Sequence, residues 1–146
     1  MSRISKEILH LVCHPFGNYA ITEMITNWPN KVNQTIFKAL KSKLNELSMQ
    51  KYSSNVIEVC LERSDSQTRS DFIVEISNSD KIANLIKHSF GNYVVQKALK
   101  ISLGTDHQIL ASAIRNSMFE VKDKRIRSKW EKILYDCQIE HTFSRF

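Results

Sequence analysis

Hydrophobic positions along the chain recur in a fixed frame. Superposing Tyr19, Asn55 and Tyr93, which lie 36 and 38 positions apart, brings Phe16, Tyr52 and Phe90 together three residues upstream. Leu11, Leu47 and Leu85 coincide eight upstream, and Ile8, Leu44 and Ile82 eleven upstream. Downstream, Ala20-Ile21, Val56-Ile57 and Val94-Val95 follow directly, then Met24-Ile25, Cys60-Leu61 and Ala98-Leu99 at five and six. Ile36, Phe72 and Leu110 stand seventeen later, and Leu40, Ile76 and Ile114 twenty-one later. These offsets form three clusters with spacings of three and four, so each repeat reads as three amphipathic helices. A short helix ends before the aromatic residue, a middle helix carries the anchor, and a third follows.

The links fit this division. Trp28-Pro29-Asn30, Ser64-Asp65-Ser66 and Gly104-Thr105-Asp106 are expected to stop the second helix and cap the third. Ser77-Asn78-Ser79-Asp80 has room for the two extra residues of the longer spacing. Repeats then occupy about residues 4–42, 43–78 and 79–118. From Phe119 the frame fades into a basic helix, Lys122 to Cys137, with Ile126, Trp130, Ile133 and Leu134 on one side. Residues 119–146 are therefore expected to cap the stack, the outer face of a terminal unit meeting water. The expected fold is all-α: one domain, an α-α superhelix (solenoid) with a C-terminal capping helix.

Composition narrows the class further. The 146 residues are 42% hydrophobic and 25% charged, as in a globular domain, and hold only three Gly and two Pro, too few for a turn-rich β fold. No run approaches the roughly 18 apolar residues of a membrane span. The start, Met1 to Glu7, lacks the profile of a secretory signal, and a cytoplasmic location is expected. Cys13, Cys60 and Cys137 are odd in number, far apart and set in apolar patterns, which suits unpaired thiols in a reducing compartment. The formal charge of +6 favours a polyanionic partner without identifying one.

Polar residues interrupt each middle helix in the same places: Asn18-Tyr19 and Thr22, Ser54-Asn55 and Glu58, Asn92-Tyr93 and Gln96. Residues three or four apart share a helix face, so each trio is expected on one surface, with the two residues between them pointing inward. A merely solvated face would carry Lys and Glu freely, whereas these trios hold flat or amide-bearing groups. The carboxylate of Glu58 offers two acceptors, which suit the adjacent donors on guanine's Watson–Crick edge. The amides of Asn92 and Gln96 pair a donor with an acceptor, which suits uracil. Flat anchors in successive repeats leave a slot for a base, and such stacking is worth roughly 1–3 kcal/mol per base.

With the lead-ins Phe16-Gly17, Tyr52-Ser53 and Phe90-Gly91, the trios resemble the Pumilio-type (PUF) repeat over about residues 4–118. Their order is similar to the last three repeats of an eight-repeat PUF domain, followed by its cap. The resemblance implies a crescent whose concave face, lined by the second helices, binds RNA antiparallel to the protein. It implies that Asn92, Tyr93 and Gln96 read a 5′ uracil, and Ser54, Asn55 and Glu58 a guanine. Asn18, Tyr19 and Thr22 depart from the pattern, because Thr22 stands where the uracil-reading set has Gln. A short hydroxyl reaches less far, so the implied uracil preference there is weak.

The implied element is 5′-UG(U)-3′ in mRNA 3′ untranslated regions. The implied role is sequence-specific single-stranded RNA binding for post-transcriptional regulation, through translation repression or mRNA decay, with protein partners in those processes. No cofactor and no membrane association are implied. Three stacked bases supply only about 3–9 kcal/mol before ordering costs, hence micromolar affinity at best. A fragment of a longer protein, or a chain that self-associates, is therefore expected.

Other groupings carry less. His10, Cys13 and His14 have metal-ligand spacing, but His14 recurs as His88 without a cysteine, which points to a structural repeat feature. Cys60 shares its offset with Met24 and Ala98 and belongs to the core. No phosphate loop, carboxylate pair or nucleophile–base set is present, so an enzyme is not expected. Lys122, Lys124, Arg125, Arg127, Lys129 and Lys132 suit phosphate contacts and a solvated cap equally, and Trp28 beside Pro29 suits turn packing. The competing reading is a protein-binding α-solenoid with little RNA binding of its own, which would have no reason to keep Ser54-Asn55 and Glu58 between two Asn-Tyr units.

Overall fold

The computed structural model describes residues 1–143. Its elements are α1 (Arg3–Val12), α2 (Gly17–Asn27), α3 (Asn30–Leu40), α4 (Leu44–Ser48), α5 (Ser53–Arg63), α6 (Ser66–Ser77), α7 (Ile82–Lys87), α8 (Gly91–Ile101), α9 (Gly104–Ser117) and α10 (Lys124–Phe143), with a 3-10 turn at Met118–Glu120. Among the described residues there is no strand, so the fold is the helical solenoid that the periodicity predicts. No helix among them is long and apolar enough to cross a membrane.

The middle helices α2, α5 and α8 start directly after the aromatic lead-in and stack in chain order, α2 on α5 and α5 on α8. Val56, Ile57, Cys60, Leu61, Val94, Val95, Ala98 and Leu99 of α5 and α8 are all fully buried. The third helices continue the stack, with α6 on α9. Phe37 meets Phe72 edge-on, ring centroids 6.3 Å apart, which joins the first two repeats. Glu75 of α6 reaches back to accept the backbone N–H groups of Ser42 and Leu44, holding the loop between repeats one and two, where Ser42 adopts a φ of 66°.

Three details differ from expectation. The third link is Ser102-Leu103, and α9 already begins at Gly104. Gly104-Thr105-Asp106 thus lie in its first turn, because Ser102, not Gly104, shares its offset with Ser64 and Trp28. The longer spacing is absorbed in two places: α6 has 12 residues against 11 in α3, and the following loop gains the other one. The capping helix runs to Phe143 rather than Cys137. Its Trp130 is fully buried and donates from Nε1 to the Ile86 carbonyl oxygen at 2.7 Å, while Leu134 packs into the same core. This seals the exit face of the third repeat.

The sharp turn into each middle helix depends on its first residue. A Cβ at Gly17 would lie 2.8 Å from the Leu11 carbonyl oxygen, and one at Gly91 would lie 3.1 Å from that of Leu85. Ser53 fills the same position in the second repeat and donates to the Leu47 carbonyl oxygen at 2.6 Å. His14 and His88 complete the turns in the outer repeats. Nδ1 of His14 accepts the N–H of Phe16 and Gly17, both at 3.1 Å, and Nδ1 of His88 that of Phe90 at 3.1 Å and Gly91 at 3.2 Å. Such N–H groups have no partner within the helix itself. Gly17→Ala is expected to destabilise the chain by about 1–3 kcal/mol, the usual range for overpacking, and more than Gly91→Ala. Urea denaturation checks this, and equal stability of Gly17→Ala and the unmodified chain refutes it.

Candidate functional site

The anchors stand clear of the core. Tyr19 is 68% exposed and Tyr93 57%, and Asn55 between them is exposed too. Each projects from one of three helices packed side by side, so the anchors form a ladder along one surface. The residue three positions on is half-buried in every repeat: Thr22, Glu58 and Gln96.

The first member of each trio lies deeper than a shared exposed face requires. Asn18 is 1% exposed, Ser54 3% and Asn92 6%. The amide of Asn18 donates to the carbonyl oxygens of His14 at 2.8 Å and Pro15 at 2.9 Å. That of Asn92 donates to His88 at 2.6 Å and Ser89 at 3.2 Å, and the Ser54 hydroxyl donates to Lys51 at 3.1 Å. These residues hold the preceding loop against the helix, which engages their donors and leaves oxygen lone pairs as their remaining capacity. The two residues between trio members point inward as predicted, except that Ala20 is exposed.

Each rung therefore has its own chemistry. In the first, Thr22 donates to the Tyr19 carbonyl oxygen at 3.0 Å, so its short side chain is turned back on the backbone. In the second, the Ser54 oxygen and the Glu58 carboxylate leave a set of acceptors. Burial pushes the Glu58 carboxyl above its ordinary value, opposed by the charge of Lys97 and reinforced by that of Glu62. Lys97 is itself paired with Glu62 across the repeat junction. In the third, Gln96 Nε2 donates to Asn92 Oδ1 at 3.0 Å.

One contributing residue was not singled out from the sequence, and the histidine pair beneath the ladder has the structural role its recurrence predicted. Lys129 of α10 donates from Nζ to Asn92 Oδ1 at 3.1 Å and lies 5.8 Å from the Tyr93 ring centroid. It was visible only as one of six basic residues, because 37 positions separate it from Asn92. His14 and His88 shape the turns beneath the ladder, and their recurrence was the available signal. No group of three or more His, Cys, Asp or Glu side chains that could hold a metal occurs among the described residues. A cavity of about 660 Å³ between α9 and α10, lined by His107, Ala111, Arg115 and His141 among others, shares no residue with the ladder.

Comparison with known proteins agrees with this geometry. The model of the Pumilio-family RNA binding repeat matches residues 7–40, 43–77 and 81–115. Pumilio homolog 12 of Arabidopsis thaliana is 37% identical over 115 residues, which is 79% of this chain and 19% of that protein. Pumilio homology domain family member 4 of Saccharomyces cerevisiae is 40% identical over 99 residues, 63% of this chain and 11% of that one. PUF-8 solved in complex with PBE-RNA superposes with a TM-score of 0.78 at 25% identity, over 89% of this chain and 40% of that one. The Puf4 RNA binding domain, solved bound to the HO endonuclease RNA 3′ UTR recognition sequence, superposes at 0.75 with 28% identity, over 92% and 43%. The chain spans about a fifth of the length of the first of these curated relatives and under half of the solved domains.

The position of Glu58 generates a titration. Its folded pKa stands above the ordinary 4.5, so the folded chain holds this proton more tightly than the unfolded chain. Ionising it accordingly weakens the fold as pH rises through that range. Lys97→Met removes the opposing charge and is expected to raise the Glu58 value further. A carbon-13 titration of the Glu58 carboxyl measures both, and a value that falls in the Lys97 variant contradicts the account.

Proposed function

The chain belongs to the Pumilio family of RNA-binding repeats, and from that premise we propose that it binds single-stranded RNA along α2, α5 and α8, one base per repeat. The element read is 5′-UG(U)-3′ in mRNA 3′ untranslated regions, and the role is post-transcriptional regulation in the cytoplasm. One observation carries this reading. Flat, exposed groups stand at the same offset on three stacked helices, each followed three positions later by a hydrogen-bonding side chain at the edge of the slot.

The chemistry of each rung supports its assigned base. The Ser54 oxygen and the Glu58 carboxylate present acceptors alone, which suit the N1–H and amino donors of guanine and disfavour adenine, whose N1 is an acceptor. Gln96 carries a donor and an acceptor, as uracil's edge requires. At the first rung, Asn18-Tyr19 keeps the family's uracil-reading lead, but the Thr22 hydroxyl is short and turned back on the backbone, so the uracil preference there is weak. Guanine recognition needs the carboxylate of Glu58, so binding should weaken as pH falls through its raised pKa. The +6 charge adds a sequence-independent attraction to phosphates.

Fluorescence anisotropy with labelled RNA tests the reading. A UGU-containing oligonucleotide is expected to bind with low affinity that falls steeply as salt rises. A UUU analogue is expected to bind about tenfold more weakly, in line with one good edge-pairing. Ser54→Asn combined with Glu58→Gln is expected to reverse that preference at the second position. Equal binding of UGU and UUU, or unchanged selectivity in the double variant, defeats the assignment. A protein-binding solenoid with little affinity for RNA would bind neither oligonucleotide.

A further inference from the structure

We propose that Lys129 of the capping helix is a base-reading residue of the third repeat, donating from its ammonium to an exocyclic carbonyl oxygen and selecting uracil over cytosine. This rests on the RNA-binding reading above.

The case begins with what Asn92 has left to offer. Both hydrogens of its amide are engaged by the carbonyl oxygens of His88 and Ser89, so it has no donor for a base. Its Oδ1 accepts from Gln96 at 3.0 Å and from Lys129 at 3.1 Å, which fills both lone pairs. Asn92 is thereby an internal bracket that orients the other two side chains. Gln96 has its amide nitrogen turned towards Asn92, leaving Oε1 free to accept the N3–H of uracil. Gln96 keeps its second amide hydrogen for one of the two carbonyl oxygens that flank this N3–H; the other still needs a donor, and an ammonium with one hydrogen on Asn92 has two to give.

The ammonium is held at the right level. It lies 5.8 Å from the centroid of the Tyr93 ring, close enough for the ring's negative face to attract it. Its neighbour Trp130 is fully buried and hydrogen-bonded to Ile86 at 2.7 Å, so the register of α10 against the third repeat is fixed from within the core. The first two rungs have the next middle helix on their downstream side, α5 and then α8, whereas the third has α10. Lys129 thus lies beside the third anchor, on the helix that takes the place of a following middle helix, and it brings a charge.

Selectivity follows from the sign of that group. A free glutamine amide can present either end and separates uracil from cytosine weakly. An ammonium only donates. It favours uracil's carbonyl oxygen at C4 and opposes the amino group that cytosine carries there. A phosphate contact would be a different use of the same cation; the hydrogen bond of Nζ to Asn92, the partner of Gln96, favours the base edge instead.

The test compares binding of UGU and CGU oligonucleotides by anisotropy for the unmodified chain, Lys129→Met and Lys129→Arg. Lys129 is exposed, and a circular dichroism melt verifies that the variants fold. The unmodified chain is expected to prefer UGU about tenfold, as a charge-assisted hydrogen bond allows. In Lys129→Met the preference should shrink at least threefold, while discrimination between UGU and UAU stays unchanged, and Lys129→Arg should retain most of it. An unchanged ratio in Lys129→Met overturns the proposal. So does equal weakening on both RNAs with a salt slope shallower by about one, the signature of a phosphate contact. If the unmodified chain bound no RNA selectively, the functional reading itself would fail, and that arm alone would reveal it.

Discussion

The spacing between rungs depends on one packing contact, the burial of small and β-branched residues between consecutive middle helices. Val56 and Cys60 of α5 are sealed against α2, and Val94 and Ala98 of α8 against α5, none of them with measurable exposure. Each pair sits one and five positions after the anchor, so the helix face that touches the previous repeat is set about a third of a turn from the face that carries Tyr19, Asn55 or Tyr93. Larger residues there would push the helices apart and widen the slot between anchors. Smaller ones would leave cavities in a core that holds little else at that level. The distance at which a base can be sandwiched is therefore a property of the core, and the reading residues inherit it.

A second constraint comes from the turn that leads into each middle helix. A helix start leaves N–H groups without partners, and the chain satisfies some of them with His14 and His88. The loop carbonyl oxygens facing them are taken by the amides of Asn18 and Asn92. The same asparagines lie at the base of the slot, so fold and recognition share one side chain. Its nitrogen serves the loop and its oxygen faces the neighbouring reading groups. The second repeat solves the problem differently: Ser53 and Ser54 both donate to the loop, and the reading position becomes an acceptor without a competing amide. The polarity of each rung is thus tied to how its turn is closed.

The repeat frame, the helices, the core and the exposed anchors were legible in the sequence because each depends on a short, regular spacing. Leu47, Val56 and Phe72 are buried where their offsets required. The depth of Asn18, Ser54 and Asn92 was not legible. A three-and-four spacing tells which side of a helix a residue occupies, but the loop ahead of α2, α5 and α8 folds over that side and covers it. The third link was misplaced for a related reason. Gly104 and Asp106 carry strong turn chemistry, yet the stack requires the break at the offset of Ser102, and tertiary packing overrode the local signal. Lys129 lay beyond reach altogether, since its role arises from the way Trp130 docks α10 on the third repeat.

The two ends of the stack are physically unlike. At the exit side, α10 covers the third repeat, and Trp130 and Leu134 fill its core. At the entry side, Leu11, Ala20 and Val32 are exposed, while their counterparts Leu47, Val56 and Thr68 are buried by the repeat before them. In a solenoid, stability is nearly a sum of intrinsic terms and contacts between neighbours, and Leu11, Ala20 and Val32 hold the offsets at which the second repeat packs on the first. The third rung, bracketed by Asn92, Gln96 and Lys129, is the most pre-organised, and the first, with Thr22 bonded back to its own helix, the least. A base entering a pre-set slot forfeits less of its binding energy to ordering than one that must order the slot. For RNA lying antiparallel to the chain, as proposed, discrimination should therefore be sharpest at the 5′ bases and fade towards the 3′ end. The uneven chemistry of the three trios carries that gradient.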